Sequence, residues 1–291
     1  HSEPSSSKIR AKSKQTTQKS HLPDGPTLPD GRKEVSSQHR RWQLGLLHSR
    51  KAGACPMVER NAILSSLPES DAASIRPHLK FVHLPQKTVL FEAGSSINAV
   101  YFPITAVISL VITLEAGEMT EAAMVGRDGA VGIASALDGR IAMSRGIVQL
   151  GGDAFVCDPA TFKSVAMQSE RVISLVMRHE QTLFAQAQQS TACMANHDIE
   201  ARLCRWMLRA RDLSGSDDLP FTQEFLAEML GVRRTSVTTV AHTLQAAGMI
   251  KYSRGKINIL DVEGLKDSAC ECYKAVKENY RELLGIVYDR P

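Results

Sequence analysis

Aromatic side chains are scarce: 5% of 291 residues, with two Trp, five Tyr and eight Phe. That argues against a surface built mainly on stacking rings against bases. Long apolar runs are missing too. The most apolar stretch, residues 104–114 (ITAVISLVITL), has 11 residues, well short of the ~20 a membrane-crossing helix needs. No secretory apolar core stands near the N-terminus, so a cytoplasmic protein without membrane contact is expected.

No CxxC pair occurs among the six cysteines Cys55, Cys157, Cys193, Cys204, Cys270 and Cys272. Cys193 and His197 are four apart, and Cys270 and Cys272 two apart. Neither spacing has a second pair near it in sequence, so all six read as reduced packing thiols and no metal is expected. Catalytic signatures are also absent: no P-loop, GxSxG, HExxH or paired carboxylates on one helix face. His179, His197 and His242 fall in helical patterns and read as surface or capping groups, and no enzyme is expected.

The formal charge of +4, from 35 Lys+Arg against 31 Asp+Glu, is too small by itself to imply a polyanionic partner. It is unevenly spread: residues 1–60 hold twelve Lys/Arg and five Asp/Glu, so the remainder is net negative. Ser, Lys, Gln, Thr, Pro and Gly dominate residues 1–58, which read as a disordered basic tail.

From residue 59 the pattern becomes that of a packed chain. Two short helical pieces are expected at 61–67 and 71–79. Apolar runs at 87–92, 99–104, 107–114, 121–125, 147–150 and 154–157, punctuated by turns, predict a β-sandwich or small barrel. A helical stretch follows over 159–213, free of Gly and Pro from 160 to 214. Within it Ile173, Val176, Glu180, Leu183, Ala187, Ser190 and Met194 recur at 3-4 spacing, which suits a dimer seam or packing on its own domain. Asn196 or Asp198 caps a further helix over 199–211. Arg127, Asp128 and Arg140 read as turn and surface charges.

The strongest pattern is TQEFLAEMLGVRRTSVTTVAHTL, residues 222–244. Thr222 is an N-cap, and Leu226, Met229 and Leu230 form an apolar stripe. Gly231 suits a tight turn, and Ala227 leaves room for two helices to cross. Leu226, Ala227, Leu230, Gly231, Val232, Val237 and Val240 are seven positions that carry the residue types of a helix-turn-helix. Between residues 229 and 260 there are five Lys/Arg and no Asp or Glu, as phosphate contact requires. Strands at 248–252 and 257–260 around a Ser-Arg-Gly-Lys turn make a wing, and a helix over 262–284 closes the chain.

In this order the parts resemble the Crp/Fnr family of bacterial transcription regulators. The likeness covers about residues 59–285 and is carried by VYFPITAVISLV, MVGRDGAVGI, NHDIEARLCRWML, LAEMLGVRRTSVT and GMIKYSRGKINILD. It implies an α+β chain: a jelly-roll domain of cyclic-nucleotide-binding type (59–168), a dimerisation helix (169–196) and a winged helix-turn-helix (197–291). It also implies a homodimer on a palindromic site in double-stranded DNA, with RNA polymerase as a further partner.

Arg234 matches the family's base-reading arginine. Thr235 and Thr239 stand where cAMP-type members carry Glu and Arg, so the operator should differ. Arg233, Ser236, Thr238 and Lys256 complete the expected DNA contacts. The effector pocket would involve Gly129, Gly132 and Arg145. The ribose-binding Glu is missing from the 129–133 loop, however, and Gly146 follows Arg145. The N-terminal cysteine cluster of iron–sulfur members is missing as well. Neither cAMP nor an iron–sulfur cluster is expected, and no cofactor is assigned. A rival reading is a sensing module whose helix-turn-helix contacts protein.

Overall fold

The computed structural model describes residues 60–139 and 141–288. The basic tail, Trp42, Cys55 and Arg140 lie outside them. Two short helices open the described chain, α1 (Ala62–Ser65) and α2 (Glu69–Ile75). Asn61 caps α1 by accepting from Ile63 and Leu64 N–H groups, while its amide donates to the carbonyls of Pro103 and Gly129. One buried side chain thus pins the entry helix to the strands behind it.

Seven antiparallel strands follow: β1 (Lys80–Leu84), β2 (Val89–Phe91), β3 (Val100–Pro103), β4 (Val107–Thr113), β5 (Met119–Val125), β6 (Arg145–Leu150) and β7 (Gly152–Cys157). They form two sheets, ordered β1-β7-β3 and β2-β6-β4-β5. Six strands stand where the turn spacing put them. β1 escaped, because KFVHL is mostly exposed and does not alternate cleanly.

Between the sheets pack Phe91, Ile108, Val125, Val131, Val148 and Ala154. In β4, Val107 pairs with Leu150 and Ile108 with Val148, so β6 carries a bulge at Gln149. A bulge re-aims side chains. Here it sends Leu150 to the opposite face from Val148, beside Val107, Val111 and Met124.

The helical stretch is divided. After α3 (Pro159–Ala166), α4 runs over Glu170–Asn196 and α5 over Ile199–Ser214. Ser169 makes the first break by capping α4 through Val172 N–H, and Asp198 caps α5 through Ala201 N–H. In the 3-4 stripe from Ile173 to Met194, Val176 and Ser190 are buried and the other five residues are half-buried. Val176 is 3% exposed in a core with Phe102, Phe155 and Phe162, and Leu183 packs on the inter-sheet core. Beside that stripe, one residue on at each step, an exposed row runs Ser174, Met177, Gln181, Phe184, Gln188, Thr191 and Ala195.

The C-terminal part comprises β8 (Asp218–Leu219), α6 (Gln223–Leu230), α7 (Arg234–Ala246), β9 (Ile250–Ser253), β10 (Lys256–Ile259), α8 (Val262–Ser268) and α9 (Cys272–Leu284). The final helix is thus two helices, separated at residues 269–271. Trp206, Met207, Phe221, Leu226, Leu230 and Tyr280 share one core with Val107, Val111, Met124 and Leu150 of the four-stranded sheet. The winged helix therefore packs on the outer face of its own β-domain. No helix among the described residues is long and apolar enough to cross a membrane.

Candidate nucleic-acid interface

The helix-turn-helix assembles as its residue types require. Thr222 accepts from Phe225 N–H at 3.2 Å and starts α6. Gly231 ends it with φ +62°, a conformation that favours glycine. Its N–H donates to Glu228 O at 3.1 Å, and Val232 N–H donates to Ala227 O at 2.9 Å. A Cβ at Gly231 would stand 2.9 Å from Thr120 Oγ1, so the turn also sits tightly on the start of β5. Arg202 of α5 donates to the carbonyl of Leu230 and holds the same turn from the other side.

Val237, Ala241 and Leu244 bury one face of α7. The opposite face presents Arg233, Arg234, Thr235, Thr239, His242 and Thr243 to solvent. Arg233 is the N-cap residue and makes no side-chain cap, so the first N–H groups of the helix point outward with the positive end of its dipole. Ser236 and Thr238 are half-buried. The Thr238 hydroxyl lies 2.7 Å from Gln223 Oε1 and ties α7 to α6.

The wing turns through Arg254 (φ +49°) and Gly255 (φ +76°), two positive-φ residues joining β9 to β10 as in a type I′ hairpin. Lys251, Arg254 and Lys256 are exposed along it. Among the described ion pairs none includes Arg233, Arg234, Lys251, Arg254 or Lys256. Five cations thus stand uncompensated on one segment. Arg254, at the tip of the basic turn, and Lys251 are the members of this set that the family resemblance does not single out.

The residues read as an effector pocket are separately engaged. Arg145 Nε lies 3.4 Å from Glu92 Oε2 and its guanidinium reaches Met119. A Cβ at Gly129 would stand 2.9 Å from His179 Nε2, and one at Gly132 (φ +89°) 3.1 Å from Ile97. Gly129 and Gly132 thus serve close packing. His179 is fully buried and accepts from Ala130 N–H at 3.1 Å, so it is no surface group. His242 is exposed on α7, as its pattern suggested.

Asp128 is another correction. It is 1% exposed and pairs with Arg209 of α5 at 2.5 Å. Tyr288 donates to the same carboxylate, and the Arg209 guanidinium stacks over Tyr280 and Tyr288 at 4.5 and 5.1 Å. Tyr280 donates to Gln186 of α4 at 3.0 Å. Burial works against the Arg209 charge, but Asp128, Tyr288 and Tyr280 together outweigh it and hold the guanidinium's pKa well above normal.

A second polar group lies under Trp206. Its indole N–H donates to Glu121 Oε1 at 2.9 Å, and Ser109 bonds the other carboxylate oxygen. Burial raises the Glu121 pKa to about 7, against the pull of Ser109, Arg205, Trp206 and Arg209. These buried groups join the β-domain, α4 and the winged helix. Local sequence carries no signal of them, because the partners stand 81 and 85 positions apart.

Cys193 and His197, at the end of α4, meet Cys270 and Cys272, at the α8–α9 junction. The two pairs that the sequence leaves apart are neighbours in space. Cys157 and Cys204 are buried elsewhere, as packing thiols.

These features define a β-sandwich domain joined through a long helix to a winged helix-turn-helix. A Crp-like helix-turn-helix domain model matches residues 201–268. FixK2 from Bradyrhizobium japonicum superposes with a TM-score of 0.57 at 11% identity, covering 66% of this chain and 98% of that one. A CRP-family transcriptional regulator from Thermus thermophilus gives 0.54 at 19% identity, covering 65% and 96%. A CRP/FNR-family regulator from the same organism gives 0.54 at 20%, covering 65% and 98%. Comparison with curated proteins gave no match. Residues 201–268 are thus a Crp-like helix-turn-helix domain, and the fold of the chain is similar to that of these solved structures.

Proposed function

We propose that this protein is a homodimeric transcription regulator that reads a palindromic site in double-stranded DNA. Residues 59–168 serve as the sensor domain, 169–196 as the dimerisation helix and 197–291 as the DNA-binding domain. The observation that carries the reading is the outer face of α7 with the wing beside it: five exposed cations without ion-pair partners and no carboxylate over residues 229–260. A protein partner would not need such a clearance of acid, whereas a phosphate backbone does.

Arg234, exposed in the first turn of α7, is the base-reading residue, since an arginine there reaches a guanine edge bidentately. Arg233, Arg254 and Lys256 meet phosphates. Thr235, Ser236 and Thr239 tune the contact, and Thr238 acts partly through its hold on Gln223. The exposed row on α4 brings two chains together, setting half-sites about 34–36 Å apart. The protein acts in the cytoplasm, with RNA polymerase as the partner through which binding changes transcription. The 129–133 loop offers no Glu to a ribose, and an anionic effector reaching Arg145 must displace Glu92, so in this reading the signal is not cAMP.

The test is a binding series at fixed and varied salt. Arg234→Ala should cost about 1–3 kcal/mol of discrimination at one base pair per half-site. Lys256→Ala should weaken all sequences alike and reduce the salt slope by about one. Equal losses for Arg234→Ala on specific and random DNA would assign base reading to another residue. Salt-independent binding would remove DNA as the partner.

A further inference from the structure

The four side chains at the end of α4 and the α8–α9 junction form more than a packing cluster. Their donor atoms, three Sγ and one imidazole nitrogen, all lie within 4.8 Å of one another. Cys193 Sγ is 3.5 Å from Cys270 Sγ, and Cys272 Sγ is 3.5 Å from His197 Nδ1. With zinc–sulfur bonds of about 2.3 Å, the edge of a tetrahedron is about 3.7 Å, which these separations match. A multi-iron cluster would need its thiolates further apart, so the geometry suits one ion.

The surroundings fit as well. The other ring nitrogen of His197, Nε2, lies 3.2 Å from Glu271 Oε1. That contact leaves Nδ1 to face the thiols, the carboxylate–histidine arrangement that orients metal ligands. Gln189 Nε2 donates to Cys272 Sγ at 3.0 Å. The three cysteines are buried and His197 half-buried, so the donors face each other away from solvent. Three thiolates around a dication leave one net negative charge, which Arg205 is placed to offset.

We infer that Cys193, His197, Cys270 and Cys272 bind a single zinc ion as a closed, structural Cys3His site. A disulfide between Cys193 and Cys270 would use two of the four groups and leave Cys272, His197 and Glu271 without a common purpose. The ligands stand on either side of residues 198–269. The ion therefore clasps the chain at both ends of the segment that holds α5, the helix-turn-helix and the wing. It ties that segment to the C-terminal end of α4, and metal binding is then coupled to folding of the segment. This inference does not depend on DNA binding, and its readouts use no DNA.

The experiment takes the full chain, produced with zinc supplied and purified under reducing conditions without chelator. Elemental analysis should find about one zinc per chain. Absorption at the zinc edge should give three sulfur neighbours and one nitrogen, and cobalt exchange the spectrum of a tetrahedral thiolate site. Cys272→Ser should lose the metal, whereas Cys204→Ser, outside the cluster, should retain it. His197→Cys, which restores four soft donors, should also retain it. Glu271→Gln should keep the fold and weaken zinc binding about 10–100-fold, as expected of a positioning residue.

Folded wild-type chain that contains no zinc and gives no tetrahedral cobalt spectrum would overturn the assignment. So would full zinc content in Cys272→Ser, or a Cys193–Cys270 disulfide in the native protein. If Cys272→Ser fails to fold, the wild-type stoichiometry and edge spectrum decide alone.

Discussion

At the scale of single residues, the buried polar groups set the terms on which the winged helix joins the β-domain. Glu121 carries a specific pH signature. In the unfolded chain its carboxyl titrates near 4.5, whereas burial beneath Trp206 raises it to about 7. Below the lower value both states hold the proton and the group costs nothing. Between the two values the unfolded chain ionises while the folded one holds its proton, so rising pH lowers stability. Above the upper value the cost is complete, on the order of 3 kcal/mol. Glu121→Gln, which can still accept from Trp206, is therefore expected to be more stable than the parent by roughly 1–3 kcal/mol at pH 8. The gain should vanish near pH 4.5. Urea unfolding of both proteins at the two pH values measures it, and a pH-independent difference would assign the effect to packing instead. Asp128 and Arg209 are a different case. Each neutralises the other, and removing either strands a buried charge.

At the scale of elements, α4 carries two adjacent rows of the same period. The inward stripe and the outward row both repeat at 3-4 spacing, and both contain apolar residues. Val176 and Leu183 face the cores, while Met177 and Phe184 are 68% and 64% exposed. A single chain cannot say which of two adjacent apolar rows meets its own domain. Phe184→Glu is expected to yield a folded monomer, because it places like charges in the proposed seam. Leu183→Glu should instead destabilise each chain, as it buries a charge against the inter-sheet core. Sedimentation together with circular dichroism separates the two. A dimer that survives Phe184→Glu would move the seam off this face.

The same element scale explains what could be read in advance. The helix-turn-helix was legible because its requirements are local: Thr222 caps, Gly231 turns, and Ala227 stays small. The wing was legible from Arg254 and Gly255 between two apolar runs. The breaks at 167–169 and 269–271 were not, since no Gly or Pro marks them. Ser169 ends one run by capping the next helix, and Ala269 takes an extended conformation (ψ 148°) beside the cysteines. The Cys/His cluster was hidden for the reason that hides the Asp128–Arg209 pair: its halves are distant in sequence and only the fold brings them together.

At the scale of the whole molecule, β-domain and winged helix are not two globules on a linker. Val107, Val111, Met124 and Leu150 share a core with Trp206 and Phe221, so separating the two parts would expose apolar surface on both. One of the chain's two tryptophans, Trp206, lies in that shared core, 1% exposed, edge-on to Phe221 at 4.8 Å and bonded to Glu121. Its indole is in effect a built-in optical gauge. In a Trp42→Phe background its emission should be blue-shifted in the resting protein and move to the red when α5 lifts from the sheet. During urea unfolding that shift should coincide with loss of far-ultraviolet dichroism, as one cooperative core demands; a shift that comes first would mean the winged helix detaches alone. The same emission, followed while candidate effectors are added, gives a direct screen for the signal this chain answers to, without any operator sequence in hand.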